Sequence, residues 1–107
     1  MNNVNLIGNL CKDWEIKTTK TGKVVASNSM AVRKNKEEAV FVQIRAWQGT
    51  ADLLVNYTQK GDKLGITGRL DVDTYNKDGK LNYFTYVTIE EIEFCNGRKK
   101  EKEWKKW

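Results

Sequence analysis

Residues 40–47 place two kinds of side chain on opposite sides of the backbone, with the period of two that a β-strand imposes. One side is aliphatic, is predicted to face the core, and comprises Val40, Val42, Ile44 and Ala46. The other side comprises Phe41, Gln43, Arg45 and Trp47. Because solvated strand faces usually carry small polar and charged residues, two large rings flanking a guanidinium indicate a surface that binds a flat, anionic partner. Single-stranded nucleic acid fits that description.

Four other segments are predicted to be strands from their alternation or their small and β-branched residues: 3–10, 23–33, 63–75 and 82–94. Turn signals stand at 20–22 and at 76–79, and the second of them predicts a hairpin. Glu90 and Glu91 interrupt the alternation of the last segment, which predicts a β-bulge there. Gly8 predicts a bend or a close approach to another strand.

The alternation of residues 63–75 divides this segment between core and surface. The predicted inward positions are Leu64, Ile66, Gly68, Leu70 and Val72. The predicted outward positions are Lys63, Thr67, Arg69, Asp71, Asp73 and Tyr75. Arg69 and Tyr75 therefore extend the aromatic and basic surface that residues 40–47 begin.

The helical spacing of Ala51 with Leu54 and of Leu53 with Tyr57 predicts a helix over residues 49–59, with Thr50 as its N-terminal cap. Five strands with one helix between the third and the fourth is the element order of the oligonucleotide and oligosaccharide binding fold, the OB-fold. We therefore predict an all-β domain over residues 1–96, a five-stranded Greek-key barrel with one short helix.

The net charge of +5 is concentrated at the C-terminal end of the chain. Residues 98–107 hold six basic and two acidic side chains, whereas residues 1–97 hold 13 basic and 12 acidic ones. Overall charge alone therefore does not draw nucleic acid to the body of the protein, and the local positions of rings and cations must account for binding. The tail, residues 97–107, contains Trp104 and Trp107, which could contact DNA, dock on another subunit or remain solvated.

Composition disfavours membrane proteins and enzymes. No apolar run reaches the length of a membrane span and the first residues lack the pattern of a signal peptide, so we expect a cytoplasmic protein with no membrane partner. The chain has no His, and its two cysteines, Cys11 and Cys95, are far apart, so no metal, cofactor or catalytic triad is expected. Both cysteines are expected to be reduced and half-buried in strands.

Asp71 and Asp73 could ligate Mg²⁺ in a nuclease, since alternation places both carboxylates on one strand face. A third ligand and a catalytic base are missing, however, so a solvated strand face is the preferred interpretation.

Six motifs follow one another along the chain: NLIGNL at 5–10, KDWE at 12–15, VASNSMAV at 25–32, FVQIRAW at 41–47, ADLLVNYTQKG at 51–61 and ITGRL at 66–70. Together they make the chain resemble the bacterial and phage single-stranded DNA-binding proteins (SSB) over residues 4–94. The resemblance implies an OB-fold subunit without enzymatic activity that wraps single-stranded DNA, independently of sequence, during replication, recombination and repair. It also implies a homotetramer, the usual assembly of the family, and a dimer is left open.

Carried over position by position, the base-stacking aromatics of the family fall on Phe41, Trp47 and Tyr75. Lys17 occupies a matching basic position. Together with the outward and loop positions of the predicted strands, this gives a set of expected phosphate contacts: Lys17, Lys34, Arg45, Arg69 and Lys77.

The chain departs from the family in three respects. Asn3, Gln43 and Asp73 stand at positions where the family tends to carry Lys or Arg, and the short loop at 34–39 lacks a further stacking aromatic. The acidic, apolar tail tip that recruits other genome-maintenance proteins in the family is replaced here by the basic residues 97–107, so recruitment by that route is not expected. These features are typical of a phage-encoded member.

Two other hypotheses stay open at this point. The aromatic face could cover a protein, either at a subunit interface or in an OB-fold adaptor that binds a replication protein; an adaptor would form no complex with an oligonucleotide. A metal-dependent nuclease built on Asp71 and Asp73 would cleave labelled DNA in the presence of Mg²⁺.

Overall fold

A computed structural model of the chain describes residues 1–95, so the tail residues Trp104 and Trp107 lie outside the described part. Six strands and one helix follow in the order β1 (Val4–Leu10), β2 (Glu15–Thr18), β3 (Val24–Arg33), β4 (Ala39–Trp47), α1 (Gln48–Tyr57), β5 (Lys63–Lys77) and β6 (Lys80–Phe94). The five predicted strands are confirmed. The additional strand, β2, was not predicted, because all four of its residues are exposed and they show no alternation of apolar and polar positions.

The strands β1, β5, β6, β4 and β3 close into a ring, because β1 pairs with β3 as well as with β5. β2 pairs with the remaining length of the same edge of β3, so β1 and β2 together act as one bent strand. The ring is completed by a parallel contact between β4 and β6 at Ile44 and Arg45. This closed barrel, with α1 inserted between β4 and β5, is the predicted OB-fold.

The hydrophobic core fills the barrel and the space beneath α1. Its buried side chains are Leu10, Ala26, Met30, Ile44, Ala46, Ala51, Leu54, Leu64, Ile66, Val87 and Ile89. The predicted helix is confirmed. Ala51 and Leu54 are buried against this core, whereas Leu53 and Tyr57 are 40% and 37% exposed.

The start of α1 differs from the prediction. The helix begins at Gln48 with no side-chain cap, and Thr50 lies inside its first turn, so the predicted capping role of Thr50 is wrong. Gln48 instead takes a positive φ of 53°, and its Oε1 accepts a hydrogen bond from the backbone N–H of Val24. The chain therefore turns sharply directly after Trp47.

Glycines allow neighbouring strands to approach closely at two places. A Cβ atom on Gly8 would lie 2.4 Å from the carbonyl oxygen of Ala31, and one on Gly68 would lie 2.0 Å from that of Thr88. The register of β5 against β6 shifts at Gly68, so that Glu90 of β6 has no residue opposite it on β5. The close approach predicted at Gly8 and the bulge predicted at Glu90 are both confirmed.

Beyond Val87, the last residue of β6 that pairs with β4 on the way to the turn, β5 and β6 continue as a two-stranded hairpin. Its turn is formed by Asp78 and Gly79, whose φ angles of 53° and 77° are typical of a type I′ turn. Leu70 and Val72, predicted to point into the core, are 48% and 50% exposed, because this part of β5 has left the barrel. Val40, at the outer end of β4, is 43% exposed, and these three inward predictions are wrong.

Both cysteines are free, and they lie just beyond strand ends rather than within strands. Cys11 is half-buried as predicted, whereas Cys95 is exposed. Within residues 1–95 no helix is both long enough and apolar enough to cross a membrane.

Candidate nucleic-acid interface

The outer side of β4 lies at the centre of a continuous sheet surface, because laterally paired residues of neighbouring strands project to the same side. Across from the outward residues of β4, the neighbouring strand β3 contributes Val25, Ser27, Ser29 and Ala31. All four are small, so the larger side chains of β4 stand above this part of the sheet. Gln43 is held there by a hydrogen bond of 3.0 Å from its Nε2 to the Ser29 hydroxyl.

One end of this surface is organised around Trp47. The ring shares a shallow depression with Arg69 and with three residues of the β2–β3 turn, Thr19, Thr21 and Lys23. Lys17 lies in the same row of the sheet, since it pairs with Val25 and Val25 pairs with Trp47. The structure therefore brings the predicted residues Lys17, Trp47 and Arg69 to one end of the face, and it adds Lys23.

The other end is organised around the hairpin. Tyr75 is 49% exposed and lines a second depression with Arg45, Asp73 and Phe84. The Arg45 guanidinium lies 4.0 Å from the ring centroid of Tyr86 and 5.2 Å from that of Phe84. Cations at such distances are attracted to the negative faces of aromatic rings, so Arg45 is fixed in position on the sheet.

Phe84 and Tyr86 are part of this surface although they were not predicted. Their centroids are 6.1 Å apart, and they form the aromatic base on which Arg45 rests. The signal was present in the sequence: the same period of two that places Val87 inward places residues 84 and 86 on the opposite side.

Carboxylates pair with both arginines of the face. Asp73 Oδ2 lies 2.7 Å from Arg45 Nη1. Arg69 binds two carboxylates, each at 3.2 Å, through Nε to Asp71 and through Nη1 to Glu90. The guanidinium groups of Arg45 and Arg69, which were predicted to contact phosphates, are thus already paired with carboxylates of the protein.

Hydroxyl groups hold two of these carboxylates in place. Thr88 Oγ1 donates a hydrogen bond of 2.6 Å to Asp71, and the Tyr86 hydroxyl donates one of 3.3 Å to Asp73. Burial raises the pKa of Tyr86 above its ordinary value of 10.0, and the nearby Asp73 carboxylate adds to that rise. In residues 1–95 no group of three or more His, Cys, Asp or Glu side chains is placed to hold a metal ion.

The remaining predicted residues lie around the edge of the face. Phe41, near the outer end of β4, is 70% exposed. Lys34 lies in the β3–β4 loop, where its backbone N–H donates to the Glu38 carbonyl, and Lys77 is the last residue of β5 before the hairpin turn. Neither lysine lines either depression.

The model of the Single-strand binding protein family matches residues 1–95, the whole described part of the chain. The chain belongs to this family. Its members are DNA-binding proteins without enzymatic activity, which rules out the nuclease hypothesis based on Asp71 and Asp73.

Similar proteins cover most of the chain. The single-stranded DNA-binding protein 3 of Clostridium acetobutylicum is 41% identical over 101 residues, which are 88% of this chain and 70% of that protein. The single-stranded DNA-binding protein of Enterococcus faecalis is 34% identical over 105 residues, 92% of this chain but 56% of that protein. A crystal structure of a deletion mutant of the single-stranded DNA binding protein from Thermus aquaticus superposes with a TM-score of 0.72 at 31% identity, covering 88% of this chain and 40% of that one. The chain therefore spans less than two thirds of the Enterococcus and Thermus proteins.

Proposed function

We propose that this chain binds single-stranded DNA independently of sequence, by stacking bases on Phe41, Trp47 and Tyr75. The observation that carries the proposal is the presence of these three rings on one sheet face, in a family whose relatives bear the name of that activity. Stacking of one base on such a ring contributes roughly 1–3 kcal/mol, and it tolerates any base because every base has an aromatic face.

The separation of the rings supports contact with several bases of one strand. Phe41 and Trp47 are six positions apart on β4, so their Cα atoms are separated by about 20 Å at the rise of an extended strand. Tyr75 lies on the hairpin, beyond Arg45 and Phe84. Phe41 and Trp47 are therefore placed for bases that are not adjacent in the strand.

Lysines at the edge of the face supply the phosphate contacts. Lys17, Lys23, Lys34 and Lys77 are exposed, and none of them takes part in a salt bridge within residues 1–95. Contacts of this kind release counterions from the DNA, so affinity falls as salt concentration rises. In this role the protein covers exposed strands during replication, recombination and repair, and it acts as a homotetramer, as the resemblance implies.

The test is a titration of the full chain with oligothymidylate, followed by tryptophan fluorescence and by anisotropy of a labelled oligonucleotide. We expect quenching of Trp47 on binding, and Trp47→Ala should weaken binding by about 1–3 kcal/mol, roughly 5- to 150-fold in Kd. Trp14→Phe is the matched control, because Trp14 packs against the core and donates a hydrogen bond of 2.8 Å to Thr58, away from the face.

The proposal would be refuted if the folded wild-type protein failed to bind oligothymidylate, or if Trp47→Ala and Trp14→Phe bound it equally well. Native mass spectrometry with oligonucleotides of increasing length reports the stoichiometry and the assembly in the same samples. An OB-fold adaptor for a protein partner would give no complex at any length.

A further inference from the structure

The aromatic face carries more negative than positive charge in its ion pairs, which involve Arg69 at the Trp47 end and Arg45 at the hairpin end. Its bonded network contains two cations, Arg45 and Arg69, and three carboxylates, Asp71, Asp73 and Glu90. We propose that these carboxylates keep the two arginines from phosphate, so that the protein holds the bases of a strand by stacking on the rings and binds its phosphates through the exposed lysines rather than through Arg45 and Arg69. This inference rests on the proposed function. It concerns which cations of the same face contact phosphates, and we refer to it below as the charge control.

Arg45 is the more tightly held of the two arginines. Its side chain is only 24% exposed, it lies against Phe84 and Tyr86, and its Nη1 is 2.7 Å from Asp73. A phosphate could take the place of Asp73 only by breaking this charge-assisted hydrogen bond. The displaced carboxylate would then stand beside the phosphate, where like charges repel.

Arg69 is restrained from two sides, because Asp71 and Glu90 bind different nitrogens of the same guanidinium. The Asp71 carboxylate cannot swing away freely, since Thr88 donates a hydrogen bond of 2.6 Å to it. Asp73 is held in the same manner by the Tyr86 hydroxyl. The carboxylates are therefore fixed parts of the face rather than mobile counterions.

Charge is distributed differently at the edges. Lys17, Lys23, Lys34 and Lys77 are exposed and lie outside the salt bridges of residues 1–95. A phosphate group is therefore repelled by the three carboxylates and attracted by these lysines, which favours phosphate contacts at the lysines over contacts at Arg45 and Arg69.

The decisive experiment compares the salt dependence of oligothymidylate binding for the wild-type protein, Asp73→Asn and Asp52→Asn. Asp73→Asn keeps the shape of the side chain but removes the charge that pairs with Arg45. Asp52→Asn is the matched control, because it removes the same charge from an exposed position of α1 that takes no part in the salt bridges of residues 1–95.

If Arg45 becomes free to bind one phosphate, the slope of log K against log salt steepens by about 0.7, the value for one contact on a single strand. When salt is lowered from roughly 1 M to 50 mM, the affinity of Asp73→Asn should therefore rise by about 8-fold more than the affinity of the wild-type protein. Asp52→Asn should keep the wild-type slope. Glu90→Gln offers a second variant on an exposed residue and should shift the slope in the same direction through Arg69.

The outcomes separate the two proposals. If wild-type protein binds but Asp73→Asn and Glu90→Gln have the slope of Asp52→Asn, the charge control is wrong and the proposed function stands. Weaker binding by Asp73→Asn with no steeper slope also overturns the charge control, because Asp73 would then be positioning Arg45 for DNA. If the folded wild-type protein binds no oligothymidylate, the proposed function itself fails.

Discussion

Replacement of Gly68 by Ala tests whether the bulge between β5 and β6 depends on the absence of a side chain. Gly68 follows the register shift and pairs with Ile89. A Cβ atom built there would lie 2.0 Å from the carbonyl oxygen of Thr88, 2.9 Å from its carbonyl carbon and 3.2 Å from the Cα of Ile89. All three atoms belong to the backbone, so no side chain can rotate away to make room.

The size of the effect follows from these distances. Ordinary contacts of a Cβ atom begin at 3.4 Å, so the Thr88 carbonyl must move by about 1.4 Å. Such a shift lengthens hydrogen bonds of the β5–β6 ladder beside the bulge, each worth about 0.5–1.5 kcal/mol, and overpacking of this kind typically costs about 1–3 kcal/mol. We expect a loss of about 2–5 kcal/mol, a large part of the 5–15 kcal/mol that stabilises a typical domain.

The assay is chemical and thermal unfolding of Gly68→Ala beside Gly65→Ala. Both glycines lie on β5, but the nearest atoms to a Cβ on Gly65 belong to Glu93 at 3.5 Å, an ordinary contact. Gly65→Ala should therefore change stability by less than about 1 kcal/mol, with a gain expected because the unfolded chain loses freedom. Gly68→Ala should lower Tm by about 10–30 °C on the scale of a small domain.

The reasoning about Gly68 would be refuted if the two variants unfolded at the same denaturant concentration. A decrease of less than about 1 kcal/mol in the free energy of unfolding of Gly68→Ala would also contradict the predicted clash, because the two strands would then move apart at little cost.

Three further predictions concern the core and the hydrogen-bonded network. Leu54→Ala, at the fully buried contact of α1 with the barrel, should cost about 2–5 kcal/mol in chemical unfolding, and a loss under 1 kcal/mol would contradict the packing. Asn28 is 1% exposed and donates a hydrogen bond of 2.7 Å to the Lys12 carbonyl, so Asn28→Ala should cost about 1–3 kcal/mol in the same measurement, whereas an unchanged midpoint would show that the bond contributes nothing. Since the pKa of Tyr86 is raised above 10.0, its contribution to stability is present below pH 10 and is lost as pH rises through the folded value. Ultraviolet titration of tyrosinate should accordingly show a late phase that Tyr86→Phe removes, and the persistence of that phase would argue against the assignment.

Local geometry explains which expectations from the sequence succeeded. The period of two in residues 40–47 correctly separated Ile44 and Ala46 in the core from Phe41 and Trp47 outside it. The turn residues predicted the hairpin, since Asp78 and Gly79 both tolerate positive φ, and the interrupted alternation predicted the bulge at Glu90. Each of these features depends on residues close together in the chain.

Whether a strand face is buried depends on contacts between residues that are distant in sequence, and the alternation of residues did not predict this burial correctly. Leu70 and Val72 continue the inward alternation of Leu64 and Ile66, yet they are exposed because the hairpin extends past the end of the barrel. Alternation determines the side of a strand to which a residue points. It does not determine whether another element lies against that side.

The sequence by itself determined five of the six strands, the helix, the hairpin turn and the outward positions of Phe41, Trp47 and Tyr75, because backbone geometry and side-chain periodicity act over a few residues. Only the tertiary structure decided that Arg45 rests on Phe84 and Tyr86 and pairs with Asp73, a residue 28 positions away. That meeting requires β6 to pair with β4 on one edge and with β5 on the other. Strand pairing therefore decides which charged groups on this face neutralise one another. The sequence of a single strand shows each ionised group but not the group with which it pairs.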